Sequence, residues 1–177
     1  MAGRMSKKTR LIVVIVIIVV GAVVGIALGR SSSSPSDLTL PIIAWNETTL
    51  STLEGTPVVL NFWSIGCPAC RQQLPYLEAV AQQSGGEIKV IAINVVDNAA
   101  RIQTFFGDYE PTMIVAMDVN RETFVDYCQK YDNPQGYIPF TLFVDSEGLV
   151  QYKRIGAFTS ETELWETLHD LFGTAIP

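Results

Sequence analysis

Hydrophobic positions in this chain fall into three textures, and each predicts a different kind of element. The first is unbroken. From Leu11 to Leu28, LIVVIVIIVVGAVVGIAL carries no charged or polar side chain. Eighteen residues of helix reach roughly 27 Å, close to the ~30 Å hydrocarbon thickness of a bilayer. The second texture is a short apolar run bounded by turn residues, which predicts strands, covered on both faces where the run is near-continuous, as in 56–64. It recurs in LPIIAW (40–45), TPVVLNFWS (56–64), EIKVIAINVV (87–96) and TMIVAMD (112–118). PFTLFVD, SEG and LVQYKRIG (139–156) then read as strand, turn and strand, hence a hairpin.

The third texture is helical spacing. It predicts a helix from Pro68 to Gln83, stopped by SGG, and another over NAARIQTFFGDYE (98–110), closed by Pro111. NRETFVDYCQKYD (120–132) places Phe124, Cys128 and Tyr131 on one helical face, so Cys128 reads as a small buried hydrophobe. The last helix, in TSETELWETLHDLFG (159–173), opens with a capping box of Ser160 and Glu163 and closes at Gly173. His169 falls on its surface beside Asp170. Strands alternating with helices, then a hairpin and a final helix, predict an α/β sandwich around a mixed sheet.

Charge divides the chain in a way the net value of −6 conceals. Five of the twelve basic residues (Arg4, Lys7, Lys8, Arg10 and Arg30) lie in the first thirty, and all eighteen acids lie beyond them. A basic head before an apolar run should stay in the cytoplasm, so the remainder is expected outside it. The expected organisation is a cytoplasmic head at 1–10, a transmembrane anchor at 11–29, a Ser-rich linker at 30–37 and one globular domain at 38–177. A cleaved signal peptide is the alternative. Its apolar core is usually about 7–15 residues, shorter than this run, although Ala27–Gly29 is small enough to be cut. No cysteine sits at the end of the run to carry a lipid. Beyond residue 30, seven bases face eighteen acids. A surface so acidic has nothing to track phosphates, which argues against nucleic acid.

The chemistry concentrates in NFWSIGCPACRQQLP, from Asn61 to Pro75. A C-x-x-C pair can hold a metal, staple a loop or exchange electrons. A zinc site draws its four ligands from paired motifs, and Cys128 and His169, the other candidates, stand singly and far apart in the chain, so no metal is expected. A purely structural disulfide across so tight a loop is the second reading. Exchange is the favoured one: Cys67 falls at a helix N-terminus, where unpaired amides favour the thiolate, and Pro68 suits the first helical position. Cys70 sits one turn on, within reach of Cys67. Cys67 is therefore the expected attacking thiol and Cys70 the buried, resolving one. Arg71 is expected to point into solvent, with contact to an acidic partner as the alternative.

GTPVVLNFWSIGCPACRQQLPYLEAV resembles the active-site segment of thioredoxin-like proteins, most closely the membrane-tethered TlpA/ResA/CcmG branch. The resemblance runs from about Leu38 to the C-terminus. It implies a thioredoxin-like α/β fold with a mixed central sheet flanked by helices, here preceded by one N-terminal transmembrane helix. Asn61-Phe62-Trp63 is typical of the branch, where cytoplasmic thioredoxins carry a buried acid in place of Asn61. Pro75 matches the proline that kinks the active-site helix. YIPFTLFVD resembles the cis-proline loop, with Ile138–Pro139 as the candidate cis bond, abutting the cysteines and offering backbone hydrogen bonds to substrate. Trp63, Gly66, Pro68, Ala69, Ile138 and Pro139 are the expected substrate-binding residues. Two departures stand out. Gly66 replaces the usual tryptophan, which should open the mouth of the site and loosen its backbone. Gln73 replaces a glutamate and cannot accept a proton.

The resemblance implies an extracytoplasmic thiol–disulfide oxidoreductase that reduces exported client proteins, apocytochrome c or its maturation factors among them. It would need no cofactor beyond the Cys67–Cys70 pair, and a membrane donor of the CcdA/DsbD type would supply its electrons. The bilayer is a partner through residues 11–28. A disulfide oxidase or isomerase running the exchange the other way is the alternative enzyme. A tethered module that binds extended peptides without turnover is the alternative outside catalysis.

Overall fold

The computed structural model describes residue 53, residues 55–175 and residue 177. The chain divides into two units, Met1–Ser33 and Ser34–Pro177, and the described residues lie in the second. The basic head, the apolar run, the linker and the expected strand LPIIAW lie outside the described residues. Among those described, no helix is long and apolar enough to cross a membrane.

Nine elements follow one another: β1 (Val58–Trp63), α1 (Pro68–Gln83), β2 (Lys89–Asn94), α2 (Ala99–Phe106), β3 (Ile114–Met117), α3 (Glu122–Lys130), β4 (Phe140–Val144), β5 (Val150–Ile155) and α4 (Glu161–Phe172). The five strands form one sheet in the order β3-β2-β1-β4-β5. β1 pairs parallel with β2 and antiparallel with β4; β2 and β3 are parallel, and β4 and β5 antiparallel. This is the mixed sheet the alternating pattern predicts. All six residues of β1 are buried, as a central strand covered on both faces requires.

Two apolar layers pack on the sheet. On one face Val59 and Trp63 of β1 meet Cys70, Leu74, Leu77 and Val80 of α1, Ile102 of α2, and Leu164, Trp165 and Leu168 of α4. On the other, Leu60 and Phe62 meet Phe124, Tyr127 and Cys128 of α3. The alternation along β1 thus sends Asn61 to the α1 face.

Helix ends follow local chemistry, with two revisions. α2 stops at Phe106 instead of running on to Glu110, because Gly107 takes φ 60° and its amide turns back to Gln103. α4 starts at the expected cap, but only half of the capping box forms. The Ser160 hydroxyl accepts the Glu163 amide, while the Glu163 carboxylate takes the Thr159 amide and hydroxyl and pairs with Arg154 at 2.6 Å. Those bonds, the Thr159 amide foremost, hold the Glu163 carboxyl below its ordinary range. α1 passes through Pro75, which stands on the exposed face, where the missing amide is cheapest.

Candidate active site

The site forms where β1 gives way to α1. The Cys67 amide donates to the Ser64 carbonyl at 3.3 Å, closing a four-residue turn with Ile65 and Gly66 at its centre. Cys67 is the N-cap of α1 in extended conformation, and its sulfur accepts the Cys70 amide at 3.1 Å. Cys67 and Cys70 form a disulfide with Cα atoms 5.2 Å apart. Cys67 is half-buried and Cys70 is 1% exposed, so an incoming group meets only the first sulfur.

The opposite wall is the segment before β4. The Ile138–Pro139 peptide is cis, and the Ile138 carbonyl lies 3.7 Å from the Cys67 sulfur, placed to accept from that thiol when reduced. Because β4 is antiparallel to β1, its N-terminal end falls at the same edge of the sheet as the disulfide. Asn133, fully buried, fixes this wall. Its side-chain amide donates to the Tyr137 carbonyl at 2.9 Å, and its side-chain oxygen accepts the Tyr137 amide at 3.1 Å. It also contacts the Cys128 sulfur at 3.4 Å. Cys128 is the free thiol, and burial pushes it above its ordinary range.

Beneath the disulfide lies a polar network without a charge. Asn61 stands directly opposite Thr141 in the β1–β4 register and donates to its hydroxyl at 2.9 Å. Gln73 donates to the same hydroxyl at 3.3 Å, and its carbonyl accepts the Phe158 amide at 2.9 Å. All three side chains are essentially inaccessible to solvent. Gln73 is therefore a structural tie between α1 and the segment leading into α4, a role its position in the sequence did not reveal.

Of the expected contact residues, Gly66, Pro68 and Ala69 are exposed, Ile138 is half-buried and Pro139 buried. Trp63 stands corrected: it is 0% exposed and packs against Phe105 and Phe106, so it backs the site without offering a surface to substrate. Arg71 is exposed, as expected, and its guanidinium also donates to the Ile65 carbonyl at 3.0 Å. Gly66 does leave the mouth open. A Cβ there would meet nothing within 4 Å. The backbone beside it is nonetheless held, because the Ile65 amide donates to Asp97 Oδ2 at 2.8 Å. Asp97 and Asn133 were not identified from the sequence, nor was the tie from Arg71 to Ile65. The only local hints were the Asp-Asn and Asn-Pro pairs that begin a helix and a turn.

With the geometry in view, the relatives are informative. The AhpC/TSA family model matches residues 34–153, more than half of the chain. The chain belongs to the AhpC/TSA family. It is similar to thioredoxin-like protein YneN of Bacillus subtilis, 26% identical over 78% of this chain and 77% of that one. It is also similar to thiol-disulfide oxidoreductase ResA of Oceanobacillus iheyensis, 29% identical over 62% of this chain and 55% of that one. The chain thus spans between about half and three quarters of the length of these curated relatives. A secreted Mycobacterium tuberculosis disulfide oxidoreductase, described as homologous to E. coli DsbE, superposes with TM-score 0.61 at 22% identity. That match covers 77% of this chain and 97% of the other. It establishes the thioredoxin-like fold.

Proposed function

We propose that this protein is a thiol–disulfide oxidoreductase of the DsbE/ResA type that reduces disulfides in exported proteins. The observation that carries the reading is the asymmetric pair: a half-buried sulfur capping a helix and disulfide-bonded to a sulfur with 1% exposure. In the reduced protein, the Cys67 thiolate attacks one sulfur of a client disulfide and expels the other as a thiolate. Cys70, deprotonated, then attacks the Cys67 sulfur of the mixed disulfide. The client leaves with both sulfurs reduced, and Cys67–Cys70 is oxidised by the same two electrons. Ile138 offers its carbonyl beside the reacting sulfur, and the exposed Gly66, Pro68 and Ala69 leave room for the client chain.

The apolar run at 11–28 would tether the domain on the outer side of the membrane, with the N-terminus in the cytoplasm. There, a membrane donor of the CcdA/DsbD type would return the pair to its dithiol form, and clients would include apocytochrome c. The pair needs no further cofactor for this exchange. Three measurements test the reading. A membrane-impermeant thiol reagent should label reduced Cys67 in intact cells; labelling that required lysis would contradict the topology. The Cys67–Cys70 potential should lie nearer the roughly −270 mV of thioredoxin than the roughly −120 mV of DsbA, because Pro68-Ala69 supplies no cation to hold a thiolate. A value above about −150 mV would replace the reductase with an oxidase. Trapping separates the sulfurs: Cys70→Ser should accumulate mixed disulfides with clients, and Cys67→Ser should not.

A further inference from the structure

We propose that Asp97, through the Ile65 amide, is a positioning residue for the Cys67 sulfur, with Arg71, through the Ile65 carbonyl, as a second strap on the same residue. The inference rests on the exchange reading above. The turn from Ser64 to Cys67 has one internal hydrogen bond, and Gly66 at its centre is exposed with no steric neighbour for a Cβ. Packing therefore does not hold the turn at Gly66. Both polar groups of Ile65 are instead bound by charged side chains from other elements. Asp97 Oδ2 takes its amide at 2.8 Å, and Arg71 Nη1 reaches its carbonyl at 3.0 Å.

Asp97 is itself fixed from three sides. Its side chain is 2% exposed, and Oδ1 pairs with Arg101 at 2.8 Å. Oδ2 also accepts the Asn94 side-chain amide at 3.0 Å. The Asn94 oxygen in turn accepts the amides of Val96 and Asp97 at 3.1 and 2.7 Å. Asn94 is the register partner of Trp63, so the ends of β1 and β2 are sewn together just before the thiol turn. Hydrogen bonds to an ionised carboxylate are short and strong, which suits one that holds a turn whose Ile65 and Cys67 side chains pack on the core while Gly66 at its centre does not.

What the clamp controls is the sulfur's place relative to the Cys70 amide, 3.1 Å away, and the Ile138 carbonyl, 3.7 Å away. A turn free to swing would keep its disulfide but hold the reduced sulfur less often at the helix N-terminus, where the thiolate is favoured. The expected signature is in reactivity, not only in stability. In Asp97→Ala, the pH of half-maximal Cys67 alkylation should rise by roughly half a unit to one unit, and the exchange equilibrium with glutathione should shift several-fold. Asp97→Asn should stay within about twofold of wild type. Its one oxygen can serve the Ile65 and Asn94 donors, while Arg101, 63% exposed, turns to water.

Circular dichroism establishes that each variant is folded. Should Asp97→Ala fail to fold, Arg71→Met on the exposed side of the clamp is decisive. Measured at high salt, where loss of an exposed charge is largely screened, it should move both readouts the same way by less. Unchanged readouts in folded Asp97→Ala, equal shifts in Asp97→Ala and Asp97→Asn, or a wild-type profile in Arg71→Met would each overturn the positioning role. A wild-type protein that forms no reversible Cys67–Cys70 disulfide with glutathione would instead sink the exchange reading itself.

Discussion

Two helix starts on the same face of the sheet differ by a single kind of atom. α4 opens with the Ser160 hydroxyl accepting the Glu163 amide, and α1 opens with the Cys67 sulfur accepting the Cys70 amide, each at 3.1 Å. An oxygen in that place only caps. A sulfur there can also be attacked, bond to a neighbour or take a charge. As a thiolate it is a full anion beside helix amides; in the disulfide it is neutral and covalently tied. The helices behind the two caps differ accordingly. α4 buries Leu164, Trp165 and Leu168, and its first turn is tied to β5 by the Glu163–Arg154 pair. α1 packs too, but it also sends Arg71 to Ile65, Gln73 to Phe158 and Glu78 to Thr112 and Met113. A cap that changes chemical state sits on a helix fastened to three other segments.

The largest expected effect comes from giving α1 the cap of α4. Cys67→Ser should leave the helix start as stable as in the reduced wild type, because serine is a good N-cap. Reduction of a model disulfide should fall by a factor on the order of 10⁴ or more, as when a nucleophile is removed. Residual activity above about one per cent would show Cys70 attacking unaided.

Next is Gln73→Glu, which puts a carboxylate into the uncharged network beneath the disulfide. The Phe158 amide would still be accepted, and the Thr141 hydroxyl would have to turn and donate. Cys70 must lose a proton in a site that excludes water, and a base there should speed reduction by at most the roughly 10²–10⁴-fold of general base catalysis. A flat rate would mean that another group already carries the proton.

The ties of α1 can be loosened at Glu78. Burial pushes its carboxyl up, but hydrogen bonds from Thr112, Met113, Tyr109 and Gln82 outweigh that and leave it below the ordinary 4.5. The same contact raises the Tyr109 phenol. A lowered carboxylate stabilises the fold fully above its unfolded value and loses that contribution as pH falls through the folded one. Stability should therefore drop with pH below about 4.5. Glu78→Gln should flatten that dependence and cost about 1–3 kcal/mol at pH 7, since its amide would face backbone donors. Denaturant titrations at several pH values would check both. The smallest effect belongs to α4: Ser160→Ala should cost about 1 kcal/mol and leave the glutathione equilibrium unmoved. A shifted equilibrium would mean that the two helix starts are coupled through Gln73 and Phe158.

Much of this arrangement was legible in one dimension. α1 runs from Pro68 to Gln83 as its proline start and SGG stop predict, and Ser160 and Gly173 bound α4. These signals are local, so a reader of the chain meets cause and effect within a few residues. α2 was overextended because Phe105, Phe106 and Tyr109 keep helical spacing, while Gly107 at φ 60° ends the helix from within. The site was half legible. The sulfurs and the Ile138–Pro139 segment are carried by motif, but Trp63 was expected to bind substrate, whereas it fills the core. Asp97 lies 32 residues from the peptide it holds, and the Gln73 tie to Phe158 spans 85. Neither has a periodic signature, because a side chain reaching a distant backbone amide leaves no repeat behind it.

Cys128 gives the sheet a second use. Its sulfur belongs to the layer around Phe62 and Phe124, whereas Cys70 belongs to the layer around Val59 and Leu77. A protein that trades sulfur bonds for its living is exposed to scrambling, in which a bond migrates to the wrong partner and stays there. Here a continuous wall of backbone stands between the third thiol and the other two, and burial keeps that thiol protonated. Scrambling would require the chain to come apart first. A thiol reagent should accordingly find no free sulfhydryl in the native oxidised domain and one after denaturation, and a count of one before denaturation would show the insulation to be leaky.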